Sequence, residues 1–177
     1  MRPTLIATIG PAGAGKTTWR HRHAPPEATV ISLDERRAAL SPCGCSADPA
    51  ANAAAVADGT AETRAVLAAG GTVVWDVTNY LPRFRAHLLA VAAGYDAATV
   101  GLVVCPPLLT VLARNSRRDG RVCAVCGTAR RVPDPVVWAM HTAITAALPS
   151  LHREGWHTLR FLSLPPYLHH RHHRRTT

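Results

Sequence analysis

The sequence predicts an α/β protein in which about five parallel strands form one sheet with helices on both faces. Segments typical of strands and of helices alternate along the 177 residues, which is the pattern of a parallel sheet whose strands are joined by helices. Each strand-like segment ends abruptly, at glycine, aspartate or paired prolines. The length fits one domain that can bury a core without disulfides.

Five segments rich in β-branched and other apolar residues are the predicted strands. They all fall within a predicted domain that covers residues 1–168, and no internal repeat interrupts them. In chain order the predicted strands are Thr4–Ile9, Thr29–Leu33, Thr72–Val77, Thr99–Cys105 and His157–Leu164.

Three of the intervening helices have recognisable ends. Asp48-Pro49 predicts one helix start and Gly70-Gly71 its end, because proline favours the first helical position and glycine the C-terminus. Asp134-Pro135 begins a later helix in the same way, and another runs from Pro82 to Gly94. Apolar residues at helical spacing predict the faces that pack on the core. They are Val137, Met140, Ile144 and Leu148 on the helix that begins at Asp134, and Phe84, Leu88 and Val91 on the helix that begins at Pro82.

The charge of the chain suggests an anionic partner. Its formal net charge is +9 and its pI is near 10.4, which favours nucleic acid or another polyanion. Part of this charge lies in a His/Arg-rich tail, 169–177, predicted to be a solvated basic extension. Every apolar run is too short to span a membrane, and the N-terminus does not resemble a signal peptide. We therefore expect a cytoplasmic protein without a membrane partner.

A phosphate-binding loop is the strongest motif. Residues 10–17, Gly-Pro-Ala-Gly-Ala-Gly-Lys-Thr, match G-x-x-x-x-G-K-[ST] between a predicted strand and a predicted helix. Glycines let backbone N–H groups surround an anion, Lys16 can reach the β- and γ-phosphates, and the Thr17 hydroxyl can bind Mg²⁺. Lys16 is the only lysine in the chain. The predicted ATP-binding residues here are Gly10, Gly13, Ala14, Gly15, Lys16, Thr17 and Thr18.

The motif leaves the class of enzyme open. A guanine-binding Asn-Lys-x-Asp is absent from the sequence, and the chain is short for a motor ATPase. A small kinase and an ATP-dependent binding module remain.

A carboxylate that follows the second predicted strand is the candidate catalytic base. Ligands of doubly wound sheets bind at the C-terminal ends of the strands, so Asp34 there can accept the proton of an attacking hydroxyl. Its alternative role is to cap the next helix, and one residue can do both. Arg37, one turn later, is predicted to hold an anionic part of the acceptor.

A second carboxylate, Asp76, ends the third predicted strand. This position suits a residue that holds Mg²⁺ through water, and Asn79 lies nearby to position a polar group. An ordinary turn at the end of the strand is the alternative.

Two arginines define a predicted lid over the phosphate loop, at about 114–133. Arg114 and Arg118 are four residues apart at a helix end and therefore share a face. Two guanidinium groups there can clamp phosphate oxygens and stabilise the charge that develops during transfer. An ordinary basic helix end is the alternative.

Taken together, these motifs resemble the phage-type polynucleotide 5′-hydroxyl kinases, a family of small P-loop proteins. The chain carries, in the family's order, the phosphate loop and then Asp34-Glu-Arg-Arg37, Asp76-Val-Thr-Asn79, Arg114-Asn-Ser-Arg-Arg118 and Val132-Pro133. The resemblance covers nearly the whole chain. It departs from the family pattern in the lid, where 119–131 are inserted between the arginines and Val132-Pro133.

The resemblance implies a three-layer P-loop NTPase fold with a helical lid. It also implies transfer of the γ-phosphate of ATP to a 5′-hydroxyl of RNA or DNA, the chemistry of RNA repair. By the same resemblance Asp34 is the general base, Arg37 grips the phosphate next to the acceptor nucleoside, and Arg114 and Arg118 contact ATP. Lys16 and Arg118 would act with Asp34 in catalysis.

Four of the five cysteines form two close pairs. Cys43 and Cys45 follow the Asp34 motif, and Cys123 and Cys126 lie in the inserted part of the lid. Structural disulfides are not expected in a cytosolic protein, whereas four thiolates are the number that a closed tetrahedral Zn²⁺ site needs. We hypothesise that zinc joins the two segments; a redox pair and independent thiols are the alternatives. Cys105, in an apolar strand, is predicted to be a buried small hydrophobe.

Two other functions remain open on the sequence. The same chemistry can serve a small acceptor such as a nucleoside, a sugar or an antibiotic hydroxyl. The chain can also be an ATP-dependent nucleic-acid-binding module that transfers no phosphate.

Overall fold

The computed structural model describes residues 2–164. Within them the chain forms five strands: β1 (Thr4–Ile9), β2 (Thr29–Ser32), β3 (Thr72–Asp76), β4 (Ala98–Val104) and β5 (Thr158–Ser163). The helices are α1 (Lys16–His23), α2 (Leu33–Leu40), α3 (Asn52–Ala68), α4 (Pro82–Ala93), α5 (Leu108–Ser116) and α6 (Asp134–Ala147), followed by a 3₁₀ turn at Leu151–Arg153. The predicted basic tail, 169–177, lies outside the described residues.

All five strands pair in parallel, in the order β2-β3-β1-β4-β5. The chain leaves β1 towards one edge of the sheet and crosses back after β3 towards the other edge. The C-terminal end of β1 therefore lies at the point where the direction of winding changes, which is where doubly wound sheets bind ligands. The predicted α/β fold is confirmed.

The core lies on both faces of the central strands. Leu102 and Val103 are consecutive residues of β4 on opposite faces of the sheet, and both are buried, as expected for a parallel strand covered by helices on each side. Gly59 lets α3 approach the sheet closely, since a Cβ atom there would lie 2.9 Å from Ile31 Cγ2. Among residues 2–164, no helix has the length and apolar composition needed to cross a membrane.

The start of α2 differs from the prediction. Leu33 belongs to the helix and not to β2, and the N-cap is Ser32, whose hydroxyl accepts a hydrogen bond from the Glu35 N–H at 3.4 Å. A short hydroxyl side chain before the first helical residue reaches this orphan N–H. The capping role considered for Asp34 is therefore wrong, and Asp34 lies in the first turn of the helix.

Two further expectations need correction. The helix predicted to start at Pro49 begins at Asn52, because the Asp48 carboxylate accepts the Ala50 N–H at 2.9 Å and closes a separate turn. Phe84, predicted to face the core, keeps 40% of its surface exposed. It borders a cavity described below.

An ion pair inside the domain supports the loop after β3. Arg85 of α4 is fully buried and donates to both carboxylate oxygens of Glu154, at 2.7 and 2.5 Å. A buried charge needs such a partner. Arg85 also donates to the backbone oxygens of Asn79 and Tyr80, so it holds the chain segment that follows Asp76.

Candidate active site

The phosphate loop connects β1 to α1 and has the backbone that the motif requires. Gly13 and Gly15 have φ values of 85° and 102°, which residues with side chains rarely adopt. A Cβ atom on Gly10 would lie 2.3 Å from the Val104 carbonyl oxygen, and one on Gly13 would lie 2.6 Å from that of Val111. Side chains are therefore excluded from both positions, and the loop keeps its close turn.

Lys16 is the first residue of α1 and is almost completely buried. Its Nζ donates to the carbonyl oxygens of Gly10 and Pro11, both at 2.9 Å. Burial lowers the pKa of Lys16 to about 8, although Asp76 opposes this shift. At neutral pH an ammonium group thus lies inside the loop, as phosphate binding requires.

Thr17 and Asp76 meet across the cleft. The Thr17 hydroxyl donates to Asp76 Oδ2 at 3.2 Å, and Arg20 Nη1 lies 3.5 Å from the same oxygen. Burial raises the pKa of Asp76, while Lys16 and Arg20 oppose this. A hydroxyl beside a carboxylate is a hard oxygen donor set of the kind that Mg²⁺ prefers.

Arg20 is a residue that the sequence analysis missed. It pairs with Glu35 at 2.8 Å as well as lying beside Asp76. The available signal was its spacing: Arg20 comes one turn after Thr17 in α1 and therefore shares a face with it.

The lid arginines lie over the phosphate loop, but Arg118 is beyond the end of α5, so the two do not share the helical face predicted from their spacing. Together with the loop they line a pocket of about 260 Å³, and Arg114 Nη1 donates to the Ala14 carbonyl oxygen at 3.1 Å. Arg118 follows the C-cap of α5. The pocket residues are Gly13, Gly15, Lys16, Thr17, Thr18, Arg114 and Arg118.

Asn115 connects the two ends of the lid, defined here as residues 114–133. It is fully buried; its amide donates to the Val132 carbonyl oxygen at 2.7 Å and accepts from the Val132 N–H at 3.3 Å. The Arg114-Asn-Ser-Arg-Arg118 motif contains this residue, but the sequence alone gave it no role. Its contacts show that it closes the loop in which the cysteines are inserted.

Asp34 lies at the edge of the cleft, with 69% of its side chain exposed and an ion pair to Arg37. Arg37 also donates to the Ser46 carbonyl oxygen at 2.6 Å and to Asn52 Oδ1 at 3.0 Å. It therefore ties Asp34 to the α2–α3 loop, defined as residues 41–51. Its predicted contact with an acceptor phosphate stays a prediction.

A cavity of about 450 Å³ opens beside Asp34 and reaches the phosphate loop. Lys16, Thr17, Asp76 and Arg118 share its wall with Asp34. The remainder is largely apolar, and includes Val56, Trp75, Phe84, Leu88 and Met140. Sequence reasoning missed this cavity, because its walls come from distant segments of the chain.

Asn79 also borders the cavity but is itself buried. Its side-chain amide donates to the Thr8 carbonyl oxygen at 2.8 Å, and its φ is 44°. These contacts hold the segment after β3 against β1. The predicted role of Asn79 at the substrate stays a prediction.

The four paired cysteines come together in one cluster. The Sγ atoms of Cys43, Cys45, Cys123 and Cys126 all lie within 4.8 Å of one another, although the pairs belong to the α2–α3 loop and to the lid. Backbone N–H groups of Cys126 and Val125 lower the pKa of Cys123 to about 6. We call these four residues the cysteine cluster.

Cys105 lies apart from the cluster and is fully buried, as predicted. Burial raises the pKa of its thiol to about 12. It therefore stays a neutral thiol at neutral pH.

A glycine-rich loop at the winding switch of a parallel sheet, with a buried lysine and two arginines above it, defines a P-loop nucleotide-binding protein. Residues 5–146 match the model of the AAA_33 family, described as an AAA domain, and the chain belongs to this family. The resemblance to small P-loop kinases is confirmed at the level of family and fold. A search of curated proteins found no match.

Solved structures share the fold at low sequence identity. A chain of the Pnkp1/Rnl/Hen1 RNA repair complex has a TM-score of 0.69 at 18% identity, and the match covers 85% of this chain and 46% of that one. This chain thus spans under half the length of that protein. Kti12 from Chaetomium thermophilum in complex with ADP–AlF3 has a TM-score of 0.58 at 18% identity, and the match covers 90% of this chain and 89% of that one. A Chloroflexus aurantiacus structure, described provisionally as a kinase, has a TM-score of 0.60 at 13% identity, and the match covers 93% of this chain and 90% of that one.

Proposed function

We propose that the chain is an ATP-dependent kinase that transfers the γ-phosphate to a 5′-hydroxyl of RNA or DNA. The observation that carries this proposal is that Lys16, Thr17, Asp34 and Arg118 line one cavity. A phosphate donor site and a carboxylate able to accept a proton thus open into the same space. The coarser assignment, a P-loop kinase or ATPase, rests on the family and the fold.

The residues present fit ATP and Mg²⁺. The loop amides and Lys16 would hold the phosphates, and Thr17 and Asp76 would hold the metal. Bound MgATP supplies the phosphoryl group and the positive charge of the metal. Support comes from the buried ammonium of Lys16, which donates to two carbonyl oxygens of the loop itself.

The chain's own residues then have distinct tasks. Asp34 accepts the proton of the acceptor hydroxyl at a carboxylate oxygen, and Arg37 orients that carboxylate through their ion pair. Arg114 and Arg118, above the loop, stabilise negative charge during transfer.

The cavity supports an acceptor with a flat apolar group. Trp75 and Phe84 lie in its wall, and aromatic side chains stack on the bases of single-stranded nucleic acids. Its volume suits one nucleoside. The net charge of +9 favours the polyanion that would follow it. A nucleic-acid partner and a cytoplasmic location are parts of this proposal.

A small hydroxyl compound is the second candidate acceptor. The same cavity favours it, because a partly enclosed apolar space of this size can hold a nucleoside, a sugar or an antibiotic. A binding module without transfer accounts less well for the position of Asp34 beside the phosphate loop.

The decisive test uses γ-labelled ATP, Mg²⁺ and 5′-hydroxyl RNA and DNA oligonucleotides, with the Lys16→Ala variant as control. We expect label on the 5′ end that is absent with the variant. Label on free nucleosides or other small hydroxyl compounds alone would select the second candidate. ATP binding without transfer to any acceptor would overturn the kinase proposal.

A further inference from the structure

We propose that the cysteine cluster is a structural Zn²⁺ site that fastens the lid to the α2–α3 loop. The site joins two segments whose nearest cysteines, Cys45 and Cys123, are 78 residues apart in the sequence. The existence of the site is independent of the acceptor. Its consequence for catalysis rests on the proposed function.

The positions of the sulfur atoms match a tetrahedral centre. Zn–S bonds of about 2.3 Å place the four sulfurs of such a centre roughly 3.8 Å apart, and the four Sγ atoms lie within 4.8 Å of one another. All four residues are free cysteines. A shift of about 1 Å would complete the coordination shell, so neither loop has to be rebuilt.

The backbone of each pair is already folded around its thiols. Gly44 and Gly127 have φ values of 71° and 68°, and a Cβ atom on either would meet nothing within 4 Å. Glycine is therefore favoured there by backbone conformation and not by crowding. The Cys123 N–H donates to the Thr128 carbonyl oxygen, and the Gly127 N–H to that of Cys123, both at 2.9 Å.

Hydroxyl groups support the sulfurs from outside. Ser41 Oγ lies 3.1 Å from Cys43 Sγ and donates to the buried Asp48 at 2.6 Å. Thr128 Oγ1 lies 3.1 Å from Cys126 Sγ. The Thr128 hydroxyl can donate to the Cys126 sulfur, and such outer contacts orient the ligands of metal sites. The Ser41 hydroxyl packs against the Cys43 sulfur while its proton is given to Asp48.

Apart from the Asn115 contacts that close its base, the lid has few apolar contacts that would order it. Residues 117–133 contain no helix or strand, and the two valines between and beside the lid cysteines, Val122 and Val125, are 68% and 74% exposed. Too little apolar surface is buried to offset the entropy of fixing such a segment. Metal binding supplies that free energy in small cysteine-rich segments.

The zinc site would fix the positions of residues on both the acceptor side and the phosphate side of the cleft. Cys45 and Cys123 line a crevice that also contains Thr17 and Asp34. Arg37 links Asp34 to Ser46, next to Cys45, while the lid carries Arg118. Zinc would therefore hold the base and the lid arginine in one arrangement.

Metal content of the full chain, with the tail retained, is the first test. We expect one zinc per chain, and after exchange for Co²⁺ a sulfur-to-cobalt charge-transfer band, which histidine ligands in the tail cannot produce. The variant with all four cluster cysteines changed to serine should lose both signals, whereas Cys105→Ala should keep them. Zinc content equal in wild type and the quadruple variant, or disulfides in place of metal, would overturn the site.

Hydrogen exchange tests the bridge between the loops. The Cys45→Ser change lies in the α2–α3 loop, and we expect it to speed amide exchange in 119–131 by about tenfold or more, because local opening sets the exchange rate. The Ala47→Ser variant of the same loop should leave the lid unchanged, and unchanged exchange in β1 shows that the domain stays folded. Faster exchange in 41–51 alone would mean that the pairs are independent and would refute the bridge.

These outcomes are separable from the kinase proposal. Zinc content and exchange are measured without an acceptor. If both results hold and no acceptor is phosphorylated, the zinc site stands while the proposed function fails.

Discussion

The phosphate loop and the lid face each other across one cleft, yet they are built in different ways. The loop is a continuous run of eight residues between β1 and α1, held by its own backbone and by Lys16. The lid is held by contacts between residues that are far apart in the sequence: Asn115 binds Val132 and closes the base of the lid, and the cysteine cluster joins the lid to the α2–α3 loop. The phosphate loop is therefore local and preformed, whereas the lid, and the acceptor cavity whose wall it shares, depend on tertiary contacts.

This contrast teaches where changes should act. A substitution on the donor side should alter nucleotide binding directly. One on the acceptor side should leave nucleotide binding intact and impair transfer or acceptor binding. The following expectations test that division, from the largest effect to the smallest.

The largest effect is expected for Asp34→Asn. Without a proton acceptor at the acceptor hydroxyl, transfer should fall by roughly 10²–10⁴-fold, while ATP affinity stays near that of the wild type. Single-turnover kinetics and a nucleotide-binding titration measure the two quantities separately. The neighbouring Glu35→Gln is the matched control, and near-normal transfer by Asp34→Asn would remove the base assignment.

Arg118→Gln should have the next largest effect. Removal of one preorganised charge donor commonly lowers kcat by about 10²–10³-fold, and Arg118 lines both the phosphate pocket and the cavity. The exposed Arg117 offers the control Arg117→Gln, which should transfer normally. Equal losses in the two variants would indicate a general effect of lid charge.

Phe84→Ala should act on the acceptor alone. Stacking of a base on an aromatic ring contributes about 1–3 kcal/mol, so the KM for an oligonucleotide should rise by about fivefold or more at constant KM for ATP. Steady-state kinetics at saturating ATP measure it, with the exposed Leu109→Ala as control. An unchanged acceptor KM would place the acceptor outside the cavity.

The smallest effect concerns pH and the donor side. Burial lowers the pKa of Lys16 to about 8 in the folded protein, from the ordinary lysine value of 10.5 that we take for the unfolded chain. Between these values the unfolded chain binds more protons, so the free energy of unfolding should rise with pH over this window. Below it, the buried ammonium is a cost that remains until nucleotide binds.

Lys16→Met should therefore raise the Tm of the nucleotide-free protein at pH 7 and flatten the rise between pH 8 and 10.5. Thermal melts across this range measure both, and the exposed Arg22→Met is the control on the same helix. A lower Tm than wild type at pH 7 would show that the contacts of Lys16 with Gly10 and Pro11 outweigh its burial.

Much of the fold could be predicted because its signals are local. The predicted first strand, Thr4–Ile9, has the observed bounds, and the other four strands differ by one residue at one or both ends. The starts of α2 and α3 were less predictable, because Ser32 caps α2 ahead of Asp34 and Asp48 closes a separate turn before α3. Phe84 follows the apolar pattern of α4, yet it borders a cavity that no local pattern reveals.

The candidate active site also has a part that local motifs predict and a part that depends on contacts between distant segments. The phosphate loop was predictable in full, since a continuous motif carries its own geometry. The pairing of Arg20 with Asp76, the closure of the lid by Asn115 and the apolar wall of the cavity were not. Each depends on segments that are distant in sequence and adjacent only in the folded protein.

By itself the sequence determined the class of the protein: alternating strands and helices, a complete phosphate loop, and candidate side chains after the strand ends. Only the tertiary structure decided which of these meet. The order β2-β3-β1-β4-β5 sets β3 beside β1 and so brings Asp76 to Thr17. The packing of two separate loops brings the four cysteines within reach of one metal ion. The physical reason is that short-range backbone and side-chain preferences are encoded locally, whereas contacts between distant segments follow from how the whole core is buried.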